Sequence, residues 1–206
     1  MYQPPHFREE RLEVQHALIR AHPLALLVSS GDAGLEVNPV PFLLDATASA
    51  LGTLRAHVAR ANPQWPGREA LVVFQGVDAY VTPSWYASKR EHGKVVPTWN
   101  YAIVQAGGRP RVVEDPVWLG AQIRALTAQE ERTRAEPWAV DDAPVTFVAA
   151  QIKGIVGIEI PIARIEGKWK ASQNRPPADR EGVAAGLEGV AGEAALAMAR
   201  LVCERG

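Results

Sequence analysis

The 206 residues, 47 % hydrophobic and 22 % charged, suffice for one well-buried core. Its 22 basic and 23 acidic residues leave a net charge of -1, so no general field draws in a nucleic-acid backbone; a DNA partner would need a local patch that the charge does not support. One cysteine, Cys203, excludes an intramolecular disulfide and a cysteine-based zinc cluster.

The N-terminal MYQPPHFREERLEV has no apolar signal core, and no run approaches the roughly 20 apolar residues of a membrane span. A cytoplasmic protein with no membrane partner is expected. Met1 to Phe7, broken by Pro4 and Pro5, reads as an extended arm, and the spacing of Leu12, Val14, His16, Leu18 and Ile19 predicts a helix ending before Pro23. Leu24 to Ser30 and Leu35 to Leu44 form a hairpin around Gly31-Asp32-Ala33-Gly34. Pro39 and Pro41 remove two ladder donors, so the second strand must lie at an edge or be bulged.

Residues 51 to 65 read as a strand end feeding a short helix stopped at Asn62-Pro63. Leu71 to Gln75 and Ala79 to Thr82 pair across a break at Gln75-Gly76-Val77-Asp78. After a loop from Ala87 to Val95, Pro97 to Gln105 is a strand, Gly107-Gly108 a turn and Arg111 to Val113 the partner. Pro116 to Arg134 follows as a helix, Ile152 to Ile165 as a strand, and Arg180 to Arg200 as a loosely docked terminal helix. Six or seven strands, mostly neighbours in sequence, predict a mainly β fold with flanking helices whose sheet is mostly antiparallel and closes as a small barrel. Residues 1–178 form the domain, with its N-terminal arm and helix, and 179–206 a helical tail packed on it.

Chemistry by side chains alone finds little support. His6, His16, His22, His57 and His92 show no HExxH or paired spacing, and no GxSxG, P-loop or GxGxxG is present, so neither a metal nor a catalytic residue is assigned. Thr53, Arg55, His57, Arg60 and Asn62 suit a phosphate at a strand-to-helix junction, where free N–H groups and the helix dipole favour an anion; a solvated helix face with a polar cap fits the residues slightly better. Lys168, Lys170, Ser172, Gln173, Asn174 and Arg175 follow a strand as a second polar group, either a site or a surface turn. Trp85, Tyr86, Trp99, Asn100 and Tyr101 concentrate planar, polar-tipped surface that could be core, interface or cofactor box.

The strings HVARANPQW (57–65), VFQGVDAYVTPSWY (73–86), VPTWNY (96–101), KGIVGIEI (153–160) and GKWKASQNR (167–175), with the opening MYQPPHF, resemble the PaiB-like family of FMN-binding negative transcriptional regulators. The resemblance runs collinearly over roughly residues 1 to 190. It implies an FMN-binding split β-barrel, a homodimer and FMN at the subunit interface. The implied cofactor-binding residues are Thr53, Arg55, His57, Arg60, Asn62, Trp85, Tyr86, Trp99, Asn100, Lys170, Ser172, Gln173 and Arg175. The chain departs from the family pattern at EVNPVPFLLD, where Pro39 stands in place of a histidine.

Three functions follow as expectations. The first is an FMN-binding repressor like PaiB, although no helix-turn-helix is evident. The second is an FMN-dependent oxidoreductase of the flavin-reductase or pyridoxamine-phosphate-oxidase kind. The third is a flavin-free interaction scaffold.

Overall fold

The computed structural model describes residues 1–31, 34–62 and 69–205. In chain order, strand β1 (Arg8–Glu9) and helix α1 (Leu12–Ala21) precede β2 (Leu24–Gly31), β3 (Gly34–Pro41), β4 (Leu43–Asp45), β5 (Thr53–Ala59) and β6 (Ala70–Val81). Helix α2 (Ser88–His92), β7 (Thr98–Gly108) and β8 (Arg111–Val113) come next. Helices α3 (Pro116–Glu131) and α4 (Val145–Lys153), strands β9 (Ile155–Pro161) and β10 (Arg164–Lys170), and helices α5 (Pro177–Glu188) and α6 (Glu193–Arg205) complete the chain. The chain packs as two compact units: the first comprises 1–18, 75–104 and 166 onward, the second 19–74 and 105–165.

In the second unit β3 lies at the edge beside β2, which pairs antiparallel with β6. Pro39 and Pro41 therefore sit where a missing donor breaks no inner ladder, as their positions predict. The hairpin register closes at Gly31↔Gly34; Asp32 and Ala33, the middle of the expected turn, fall outside the described residues. A four-stranded sheet, β4-β5-β9-β8, buries Leu54, Ala56 and Val58 of β5 with Val156, Ile158 and Ile160 of β9 on one face. Helix α3 starts where the Asp115 carboxylate accepts from the Val117 N–H at 3.0 Å. Gly157 of β9 is needed because the Trp118 ring occupies the space a Cβ would take.

In the first unit the strand order is β1-β10-β7-β6, with Arg8 opposite Lys168 and Glu9 opposite Gly167. Helices α5 and α6 bury Val183, Leu187, Met198 and Val202 with Val81, Tyr86 and Ala171. Gly182 and Gly186, one helical turn apart, let α5 close onto the Trp85 carbonyl and indole, which any Cβ there would strike. Glu9, 3 % exposed, is held by Arg11 at 2.6 Å and by Arg205 from α6, which also lies over the Trp169 ring.

Five expectations need correction. Residues 53–59 are one strand without the short helix, because alternate residues of β5 are fully buried against β9. Positions 63–65 of the expected stop lie outside the described residues. Gln75 to Asp78 is no break: β6 runs straight through, and Gly76 is there because a Cβ would come within 3.0 Å of Leu18 and 3.2 Å of the Ala102 carbonyl. Gly107 and Gly108 likewise end β7 rather than turn it, since at Gly108 a side chain would hit the Pro161 carbonyl; β8 pairs with β9. The run 152–165 is the end of α4 followed by two strands, parted where Ile162 and Ala163 donate to Gly52 and Gly107. Finally, the alanine-rich tail is two helices, separated around Gly189 and Gly192, not one.

Candidate functional site

The alternation of β5 puts Thr53, Arg55 and His57 on the face opposite its apolar residues. Register then decides their surroundings. Glu159 stands directly across from Arg55, and the guanidinium bonds it at 3.0 Å and Asp45 at 2.9 Å. Thr53 is buried, and His57 is half-buried with its Nδ1 enclosed and unpartnered. Burial holds the His57 pKa below its ordinary 6.5, so the ring is neutral near pH 7. Arg60 pairs with Glu114 and donates to the carbonyls of Lys153 and Ile155, while Asn62 is half-buried beyond the strand. Residues 60–62, the described positions directly after β5, are not helical, and Arg55 and Arg60 are already met by carboxylates and carbonyls.

The remaining predicted residues lie in the first unit. Tyr86 is 2 % exposed within the single chain and belongs to the helical core, not to a seam, and Trp85 is clasped by α5. Arg175 stacks on the Tyr86 ring at 4.7 Å; burial raises the phenol pKa and the Arg175 charge opposes that rise. Asn100 is fully buried and donates to Ser172 Oγ at 2.9 Å, which fixes Ser172 in the left-handed region at φ 65°. The Gln173 amide accepts from the Ala171 N–H at 2.7 Å and donates to the Trp169 carbonyl at 2.6 Å. Asn100 and Ser172 thus tie the end of β10 to β7, while Gln173 closes the turn that follows β10 onto its own strand.

Trp99 and Tyr101 alternate on the other face of β7. Trp99 is 55 % exposed, meets Tyr80 edge-on at 5.9 Å, and with Tyr101, Gln75, Asp78, Ala102 and Ile103 lines an open cavity of about 420 Å³. Lys170 of β10 donates to Thr98 Oγ1 and the Trp99 carbonyl. Lys168, two residues earlier, lies with its Nζ 5.2 Å from the Tyr101 ring centre and 5.5 Å from that of Tyr2. These lysines are strand residues, not a surface turn, and Lys168 is only 7 % exposed. Sequence reasoning placed Gln75 and Asp78 in a break between two strands and kept Lys168 in the second polar group without counting it among the implied cofactor-binding residues; the alternations 99/101 and 168/170 were the available signal.

Comparison with known proteins gives a family and a fold. Residues 1–164 match the family described as "Putative FMN-binding domain". An uncharacterized protein of Emericella nidulans is 36 % identical over 237 residues, covering 96 % of this chain and 94 % of its own. The Protease synthase and sporulation protein PAI 2 of Bacillus subtilis is 35 % identical over 153 residues, 72 % of this chain and 71 % of its own. Among solved structures, the flavocytochrome Anf3 of Azotobacter vinelandii aligns with TM-score 0.57 at 16 % identity, covering 79 % of this chain and 69 % of that one. A conserved protein of Mycobacterium tuberculosis aligns with TM-score 0.58 at 13 % identity, covering 85 % and 94 %. These likenesses show the mostly antiparallel split-barrel type of fold with flanking helices.

Proposed function

The chain belongs to the FMN-binding domain family, related to the Bacillus PAI 2 protein over most of its length, and we propose that it binds FMN with the ring in the cavity beside Trp99 and Tyr101. The observation that carries this reading is that cavity. Its volume lies within the range of roughly 300–1,000 Å³ usual for small-molecule sites, it offers aromatic surface to a flat ring, and Gln75 and Asp78 bring polar atoms to its wall. Bound FMN would supply one- and two-electron redox chemistry; the chain's residues bind and orient it. A regulatory role of the kind implied by the PaiB resemblance would act through this flavin, and gel-shift titration across salt tests whether DNA is a partner.

The second unit supports the dimer that the resemblance implies. Leu24, Leu26 and Val28 of β2 share one face with Leu35, Val37 and Pro39 of β3, through the pairs Leu26↔Pro39 and Val28↔Val37. Leu24, Leu26, Leu35 and Val37 are all exposed, while Ala25, Leu27 and Val40 fill the opposite, buried face. A contiguous apolar face of this kind marks an interaction surface, and the edge prolines oppose edge-to-edge pairing. We assign the face to a second copy of the chain, in a homodimer that carries FMN at its subunit interface.

Absorption and fluorescence test the flavin reading. Purified protein is expected to be yellow, or to quench added FMN fluorescence at one flavin per chain, and to sediment at twice 22.3 kDa. A colourless protein that leaves FMN fluorescence unchanged overturns it. Anaerobic mixing with NADH or NADPH then separates a reductase, whose visible flavin band bleaches, from a flavin-bound regulator.

A further inference from the structure

A half-buried cation normally has a carboxylate beside it, and on β5 Arg55 has two, Asp45 and Glu159. The end of β10 differs. Lys168 and Lys170 project from alternate positions of that strand and share a face, and Arg175 follows beyond it. Among the described residues no carboxylate lies in ion-pair range of either lysine. The acids on the neighbouring elements are engaged elsewhere. Glu166 of β10 meets the Met1 ammonium, Glu9 of β1 meets Arg11 and Arg205, and Asp179 of α5 accepts from the Ser88 amide and hydroxyl. Arg8, across from Lys168, adds a further positive charge, and Arg175 lies over the Tyr86 ring.

Of the two lysines, Lys170 is the one placed to act as a free amine. Lys168 is 7 % exposed, and its Nζ lies against the rings of Tyr2 and Tyr101, whose faces favour the charged form. Lys170 is half-buried, and its Nζ donates to Thr98 Oγ1 and to the Trp99 carbonyl. Those two acceptors use both N–H groups of a neutral amine and leave its lone pair free. Burial lowers the Lys170 pKa, and the charges of Lys168 and Arg175 lower it further. Desolvation together with a neighbouring cation is how an enzyme lysine is made ready to attack a carbonyl carbon.

We propose that Lys170 is a nucleophilic amine that captures a small aldehyde as an imine, held by Thr98 and the Trp99 carbonyl and flanked by Lys168 and Arg175. The ε-nitrogen adds its lone pair to the carbonyl carbon. Both of its protons pass in turn to the carbonyl oxygen, which leaves as water, and a C=N bond remains. The Thr98 hydroxyl, already bonded to that nitrogen, relays the first of them. No oxidant or reductant is consumed. The site goes beyond the flavin reading and does not depend on it, because Lys170 stands outside the residues that line the Trp99–Tyr101 cavity.

The full chain treated with propanal and cyanoborohydride at pH 7, with alkylation followed lysine by lysine in peptide mass spectra, tests this. Exposed Lys89, Lys94 and Lys153 serve as internal references. Lys170 should be alkylated on the order of ten-fold faster than they are, because each unit of pKa lowering multiplies the neutral fraction about ten-fold. That advantage should shrink as the pH rises toward about 10, where the reference amines also lose their protons. Lys168→Gln should slow Lys170 several-fold and leave the references unchanged. Should that variant fail to fold, Arg175→Gln removes the other neighbouring charge. Lys170 alkylated no faster than the references, or only in urea-unfolded protein, overturns the proposal. So does a Lys170 rate that is the same in wild type and in both charge variants.

Discussion

The β5 face and the β10 face carry similar numbers of basic and hydrogen-bonding side chains, yet their electrostatics are opposite. Across from Arg55 the register brings Glu159, with Asp45 within reach; across from Lys168 it brings Arg8. A row of cations in a sequence therefore says little until the strand partner is known. Compensated cations hold sheets together, and uncompensated ones weaken one another's hold on a proton.

The largest stability effect is expected at Glu9, the buried carboxylate of β1, which stands opposite Gly167 of β10 and is engaged by Arg11 and Arg205. Hydrogen bonding from Arg11, against the cost of burial, and then Arg205 lower its pKa from 4.5 to about 2. Because the folded-state value lies below the unfolded one, this stabilisation is complete above about pH 4.5 and is lost as pH falls toward 2. Allowing for the exposed Arg11 side chain, Glu9→Gln should cost roughly 2 kcal/mol at pH 7. Urea unfolding should show that gap closing as the pH approaches 2; a gap independent of pH would contradict the pairing of Glu9 with Arg11 and Arg205.

Gly186→Ala separates the two aromatic groups. Its Cβ would enter the Trp85 indole, so the unfolding midpoint should fall by an amount equivalent to about 1–3 kcal/mol, with FMN affinity unchanged in the folded fraction. A loss of affinity without a loss of stability would return Trp85 to the flavin site. The smallest effect belongs to Arg55→Ala. Its partners are partly exposed, so denaturant titration should show a loss of about 1 kcal/mol or less.

How far the sequence carried these conclusions depends on what each residue responds to. Pro39 and Pro41 predicted an edge because a missing donor has the same meaning in any sheet. Helices α1 and α3 were legible from local periodicity. Gly76, Gly107 and Gly108 misled, because a glycine that lets another strand or helix come close has the same letter as one that turns the chain. Asn100, Ser172 and Gln173 showed the polarity of a site, and only the fold reveals that they bond one another and the backbone. Lys168 was visible as a charge, whereas its burial without a carboxylate depends on β1 pairing with β10, a contact more than 150 positions apart in sequence.

The central claim is most directly tested by following the proton loss of Lys170 beside that of exposed Lys89 in one NMR titration of the lysine side chains, in wild type and in Lys168→Gln. The open charge balance on β10 predicts that Lys170 loses its proton at lower pH than Lys89 and that the variant narrows the gap. Lys170 titrating together with Lys89 in both proteins would contradict it.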